Sequence, residues 1–163
     1  MASLKIETAS PDSTRALGRR VGELCKGGEC LLLHGSLGAG KTCFVQGLAA
    51  GLGVPSGEPV VSPTFVLHAQ YRGKLELNHF DAYRLNGARD LGNLGFQEFL
   101  SDPKGVAAVE WAEFLAPQLP ARRLVVNIAM LGDKGRSFEF TVHPEDDKHY
   151  KTLLTKLGKA VNG

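Results

Sequence analysis

The chain has little of what marks a secreted or membrane-bound protein. Among 163 residues there are three cysteines, Cys25, Cys30 and Cys43. An odd count, with neither CxxC nor a Cys/His metal spacing, gives no sign of a disulfide framework or a zinc module and predicts reduced core thiols in a cytosolic protein. No basic segment followed by an apolar stretch opens the sequence, and no apolar run approaches the roughly 18 residues that span a bilayer. The expected location is the cytoplasm. Charge of one sign is also missing: 19 basic against 17 acidic residues leave a net charge of +2, without the basic excess of an autonomous nucleic-acid binder. There is no repeat, low-complexity tract or interdomain linker. The length suits a single α/β domain over residues 1–163 and is too short for a motor with appended domains.

Glycine, in contrast, is plentiful, and one cluster of it carries chemistry. Gly35-Ser36-Leu37-Gly38-Ala39-Gly40-Lys41-Thr42 spells GxxxxGK[ST]. Glycines let consecutive backbone N–H groups turn inward around an anion, Lys41 reaches the outer phosphates, and the Thr42 hydroxyl is a ligand for Mg²⁺. The context fits. Cys30-Leu31-Leu32-Leu33 before the loop reads as a buried strand, and Phe44, Val45, Leu48 and Leu52 after it have helical spacing closed by Gly53. The loop therefore joins a strand to a helix N-terminus, where the dipole favours phosphate. A nucleoside triphosphate is the expected ligand.

The remaining pattern alternates strands and helices. Residues 4–8 predict a short strand. Ser10-Pro11-Asp12 supplies an N-cap, a first-turn proline and a first-turn acid for a helix running to about residue 26, with Leu17, Val21, Leu24 and Cys25 inward and Gly27-Gly28 as a left-handed stop. Residues 53–59 read as a surface loop, and Pro63 interrupts the apolar run 60–67 so that the next strand begins after it. Residues 65–72 and 74–80, flanking Gly73, predict a hairpin, as do 124–130 and 137–142 around Gly132-Asp133-Lys134-Gly135. A short helix is expected near 88–100, weakened by Gly92 and Gly95, then an inner strand at Val106–Val109. Tyr150, Leu153, Leu154 and Leu157 form the stripe of a C-terminal helix. The order predicts a P-loop NTPase fold: a three-layer α/β sandwich with a mostly parallel central sheet and added antiparallel hairpin strands.

A bound triphosphate needs a second metal anchor and a γ-phosphate sensor, and P-loop proteins take these from carboxylates at the C-terminal ends of neighbouring strands. Asp81, after Leu75–Phe80, and Glu110, after Val106–Val109, both fit. Glu110 ends the cleaner apolar strand and Asp81 one of alternating polarity; either can hold the metal directly or through water. Thr64 lies in the loop where a switch residue contacts Mg²⁺ or the γ-phosphate, although Ser-Pro-Thr by itself is an ordinary turn.

Together, Gly35–Thr42, Ser62-Pro63-Thr64-Phe65, His79-Phe80-Asp81-Ala82-Tyr83-Arg84-Leu85 and Val109-Glu110-Trp111 resemble, in order and spacing, the bacterial TsaE-type ATPases of tRNA threonylcarbamoyladenosine biosynthesis. The resemblance runs from about Glu7 to about residue 142. Two positions depart from it: Ser36 stands where the family usually has an acid, and Ala112 where it often has proline. The resemblance implies ATP and Mg²⁺ as ligands. Leu37, Gly38, Ala39, Gly40, Lys41, Thr42 and Cys43 would hold the phosphates, Thr42 and Glu110 the metal, and Ser13 the base or ribose end. Lys41 and Asp81 would serve hydrolysis, with Thr64 as the sensor. Trp111 fits beside the site or in the core, Arg84 fits a structural ion pair, and His34 and His79 read as strand residues. The implied role is an energy-using regulator docked on the threonylcarbamoyl transferase subunit and its paralogous partner. It would hydrolyse ATP slowly alone and touch tRNA only through that complex, during modification of adenosine 37 in tRNAs reading ANN codons.

Rival classes meet specific obstacles. A P-loop small-molecule kinase normally carries an arginine-rich lid, and no arginine cluster here is denser than a pair such as Arg122-Arg123. A GTPase would show NKxD, which is absent, and Asp102-Pro103-Lys104-Gly105 matches DxxG without a preceding apolar strand. A module that binds ATP without turnover has the same motifs and differs only in how the hydrolytic residue is placed.

Overall fold

The computed structural model describes residues 2–36, 38–60, 68–81, 96–100, 102–110 and 119–162. The chain opens with β1 (Ser3–Thr8) and α1 (Pro11–Leu24). Ser10 caps α1 in a reciprocal box: its side chain accepts the Ser13 amide, and the Ser13 hydroxyl accepts the Ser10 amide at 2.9 Å. The helix stops at Leu24, short of the expected residue 26, with Cys25 already extended. Glu29 is the physical reason. Its carboxylate accepts the amides of Lys26 and Gly27 at 2.9 and 2.8 Å, and those two N–H groups are turned out of the helical path. Gly27 and Gly28 do adopt positive φ, 111° and 93°, but in the turn beyond the helix.

The chain then enters β2 (Cys30–His34) and, through the glycine-rich loop, α2 (Lys41–Gly51). Helices α1 and α2 meet almost backbone to backbone. A Cβ on Gly18 would lie 2.2 Å from the Phe44 carbonyl oxygen, on Gly22 2.5 Å from that of Leu48, on Gly47 2.0 Å from that of Arg15, and on Gly51 2.2 Å from that of Arg19. The two Gly-x-x-x-Gly pairs put a side-chain-free stripe on each helix, the device that allows close helix approach.

Strands β3 (His68–Tyr71) and β4 (Glu76–Asp81) form the first expected hairpin, with His68 opposite Phe80 and Tyr71 opposite Leu77. After α3 (Phe96–Leu100) come β5 (Gly105–Glu110), the hairpin of β6 (Arg123–Leu131) and β7 (Gly135–His143), and α4 (Lys148–Asn162). Residues 65–67 of the expected strand and 88–95 of the expected helix lie outside the described residues. The strands make one sheet in the order β1-β7-β6-β2-β5-β4-β3. Strands β6, β2, β5 and β4 run parallel, and β7 and β3 run against their neighbours. The sheet is mixed and mostly parallel, as predicted.

One face of this sheet carries the main core. Leu31, Leu33, Val126, Phe138 and Phe140 there meet Phe44, Val45 and Leu48 of α2 and Leu153, Leu154 and Leu157 of α4. Cys30, Leu32, Phe80 and Val109 face the other way, against Leu100 of α3. Strand β4, expected to alternate, is buried at every position from Leu77 to Asp81. An inner strand covered on both faces buries polar residues too, and these need partners: Asn78 Oδ1 receives Gln70 Nε2 at 3.2 Å and lies 3.0 Å from His68 Nε2. No helix among the described residues is long and apolar enough to cross a membrane.

Candidate nucleotide-binding site

The site is assembled by register. Leu33, two residues before the loop, pairs with Glu110 across β2 and β5, and Glu110 pairs with Asp81 across β5 and β4. Parallel strands end together, so both carboxylates lie in line with the start of the glycine-rich loop, at the C-terminal edge where open α/β sheets bind ligands. Asp81 and Glu110 are buried, 4% and 3% exposed. Leu77, His79 and Asp81 alternate onto one face of β4, and Leu77 belongs to the core under α2. Both carboxylates thus face the side of the sheet that carries the loop's own helix.

His79, a strand residue by its sequence context, joins this group. Its Nε2 lies 2.6 Å from Glu110 Oε2, and the imidazole is fully buried. The pair lies 31 residues apart in the chain, and only the β4–β5 register brings it together. The contact ties one Glu110 carboxylate oxygen to the His79 ring.

The loop itself has the geometry its glycines predict. Gly38 and Gly40 have φ of 82° and 103°, conformations in which a side chain would be strained. A Cβ on Gly38 would meet nothing within 4 Å, whereas one on Gly35 would press on the Ile128 carbonyl oxygen at 2.9 Å and on Ala39 Cβ at 3.1 Å. The loop's first residue is thus seated against β6. Gly40 is the N-cap of α2 and offers no side-chain cap, so the helix opens directly on the glycine-rich loop. Lys41 is 7% exposed and donates from Nζ to the Gly35 carbonyl at 2.8 Å, folding back across its own loop. Ala39 is buried, Thr42 and Cys43 are half-buried on the first turn of α2, and Ser36 is exposed.

A residue the sequence pattern did not single out also reaches the loop. Arg136, at the start of β7, donates from Nη2 to the Gly38 carbonyl at 3.1 Å. Ser13 lies in the first turn of α1, where its hydroxyl accepts the Ala9 and Ser10 amides and donates to the Ser10 carbonyl. Leu37, Thr64, Arg84, Trp111 and Ala112 lie outside the described residues. Among the described residues no three or more His, Cys, Asp or Glu side chains converge as a metal-binding cluster. A cavity of about 480 Å³ opens at the opposite end of the sheet, lined by Gly27, Gly28, Arg122, His149 and Tyr150 among others, and holds none of the predicted residues. Beside it Glu29 is buried, with His149 Nε2 2.6 Å from its carboxylate.

A glycine-rich loop leading from an inner parallel strand to a helix, with two buried carboxylates at the ends of adjacent strands, defines the P-loop class of α/β proteins. Within that class the comparisons are specific. The family model for "Threonylcarbamoyl adenosine biosynthesis protein TsaE" matches residues 8–138. A tRNA threonylcarbamoyladenosine biosynthesis protein TsaE from Treponema pallidum is 41% identical over 139 residues, 85% of this chain and 99% of that protein. The protein of the same name from Bacillus subtilis is 40% identical over 163 residues, covering 99% and 98%. The crystal structure of Bacillus subtilis YdiB superposes with a TM-score of 0.78 at 34% identity, covering 97% of this chain and 95% of that one. The chain belongs to the TsaE family of threonylcarbamoyladenosine biosynthesis proteins.

Proposed function

We propose that the protein is a Mg²⁺-dependent ATPase that supports threonylcarbamoylation of adenosine 37 in tRNAs reading ANN codons, as an energy-using regulator of the transferase complex. The observation that carries this reading is the register row Leu33–Glu110–Asp81, which lines two buried carboxylates up with a phosphate-type loop. The Lys41 ammonium, held on the Gly35 carbonyl, is within its own loop and ready to exchange that oxygen for phosphate. The oxygen donors suit the metal: Mg²⁺ takes one or two protein oxygens and completes its shell with phosphate and water, so the Thr42 hydroxyl and Glu110 suffice without a cluster. When bound, the ion would neutralise charge on the outer phosphates.

Around it, the residues Leu37 to Cys43 would cradle the phosphates with backbone amides, and Lys41 would offset charge developing on the leaving group. Asp81 would orient the attacking water or brace the metal, and Thr64 would sense the γ-phosphate. Ser13 would contact the base or ribose end of ATP. The partners in this reading are the threonylcarbamoyl transferase subunit and its paralogue, with tRNA reached through them. A near-neutral chain suits that division of labour, because tight RNA binding draws on many basic contacts.

The test is multiple-turnover threonylcarbamoylation of tRNA by the purified transferase pair, supplied with threonylcarbamoyl-AMP, with and without this protein and ATP. Product is expected to continue past one round only when both are present, and phosphate release is expected to be faster with the pair than without it. Lys41→Ala is expected to abolish nucleotide binding and this support. A Lys41→Ala protein that supports full modification would overturn the reading.

A further inference from the structure

The β6–β7 hairpin reaches the phosphate loop through one side chain. Arg136 spends its guanidinium on backbone oxygens: Nη2 on the Gly38 carbonyl at 3.1 Å, Nη1 on those of Gly135 at 2.6 Å and Asp133 at 3.2 Å. Its aliphatic stem closes on the next loop glycine, where a Cβ on Gly40 would lie 3.4 Å from Arg136 Cγ and 3.6 Å from Cδ. No carboxylate among the described residues pairs with this arginine.

The physical consequence follows from how an anion loop works. Amides must converge inward, so carbonyls point outward and need donors of their own. At Gly38, whose backbone is free to adopt either hand of φ, the peptide can rotate unless something holds its oxygen. A planar fork, fixed at its other prong to the Asp133–Gly135 turn, is suited to that task, and a lysine ammonium is not. We propose that Arg136 is a positioning residue of the phosphate loop, fastening the Gly38 carbonyl outward so that the loop amides are set for phosphate before the nucleotide arrives. This rests on the nucleotide-binding reading above. Preorganisation of this kind acts on affinity, so it raises KM when lost and leaves kcat little changed.

The test compares the wild type, Arg136→Ala, Arg136→Lys and Lys134→Ala for binding of a fluorescent N-methylanthraniloyl ATP with Mg²⁺, for KM and kcat of phosphate release, and for melting temperature without nucleotide. Lys134 is exposed in the same hairpin turn. Arg136→Ala is expected to bind about tenfold more weakly, the scale of one charge-assisted hydrogen bond, with KM raised in step, kcat little changed and the nucleotide-free melting temperature within a degree or so of wild type. Arg136→Lys is expected to recover only part of the affinity, and Lys134→Ala to match wild type. Binding by Arg136→Ala within twofold of wild type overturns the inference while leaving the nucleotide reading intact. Full recovery by Arg136→Lys also overturns it, because charge alone would then be sufficient. If wild type and Lys134→Ala both fail to bind the probe, the nucleotide reading falls and this inference falls with it.

Discussion

The three thiols sit in distinct environments, and their reactivity should separate accordingly. Burial pushes the Cys25 thiol well above its ordinary pKa, with the negative charge of Glu29 adding to it. Burial pushes Cys30 up to about 12, with Arg123 pulling the other way. Cys43 is half-buried, beside Thr42 in the first turn of α2. Because the thiolate is the nucleophile and needs access, iodoacetamide at mild alkaline pH is expected to modify Cys43 first, with ATP and Mg²⁺ slowing it. Peptide mass spectrometry in native buffer checks this, and modification of Cys30 ahead of Cys43 would contradict it. At the same scale, His79→Ala removes a partner of a buried carboxylate and is expected to cost about 1–3 kcal/mol in a urea titration. The loop residues were legible in the sequence because they are contiguous and their chemistry is local. His79 was not, because its partner Glu110 is reached only by sheet register. Arg136 was hidden for the same reason, its loop contact lying 98 residues away.

At the scale of elements, the α1–α2 contact sets two effects against each other at Gly47. Alanine is the better helix former by about 1 kcal/mol, but its Cβ would stand 2.0 Å from the Arg15 carbonyl oxygen, an atom of the facing backbone. Overpacking against backbone costs about 1–3 kcal/mol, so Gly47→Ala is expected to lower the melting temperature. A rise would mean that the helices separate freely. Helix α4 offers a test in pH. Asp147 precedes it, accepting the Tyr150 amide at 3.0 Å and paired with Arg122. Burial alone would raise its pKa, but the hydrogen bonds from Arg122 and the Tyr150 amide, with the Arg122 charge, outweigh that and hold it below the ordinary carboxylate value. A lowered carboxyl stabilises the fold above its unfolded pKa and stops doing so as pH falls through the folded one. Arg122 is 64% exposed, so Asp147→Asn is expected to cost only about 0.5 kcal/mol at pH 7. The gap should close below about pH 4; a constant gap from pH 7 to pH 3 would rule the charge out as its source. Both hairpins and most helices were readable from periodicity and caps. The α1 terminus was not, because Glu29 competes for the Lys26 and Gly27 amides from beyond the helix.

For the whole molecule, the proposed ligand makes stability a function of nucleotide concentration. A ligand at one hundred times its Kd that binds only the folded chain adds about 2.7 kcal/mol, which for a protein of this size is about 5–10 °C in melting temperature. ATP with Mg²⁺ is expected to produce such a shift in wild type and none in Lys41→Ala. Equal shifts in both would place the nucleotide elsewhere. The topology that frames this site also has a history. Strand β2 is flanked by β5 and β6, both encoded far downstream, and Gly35 is seated against Ile128. On the ribosome, then, the phosphate loop is made before both strands that flank its own strand and is finished only once they follow. A nascent chain halted before residue 123 exposes one flank of Cys30–His34, an unpaired apolar strand of the kind that chaperones exist to shield.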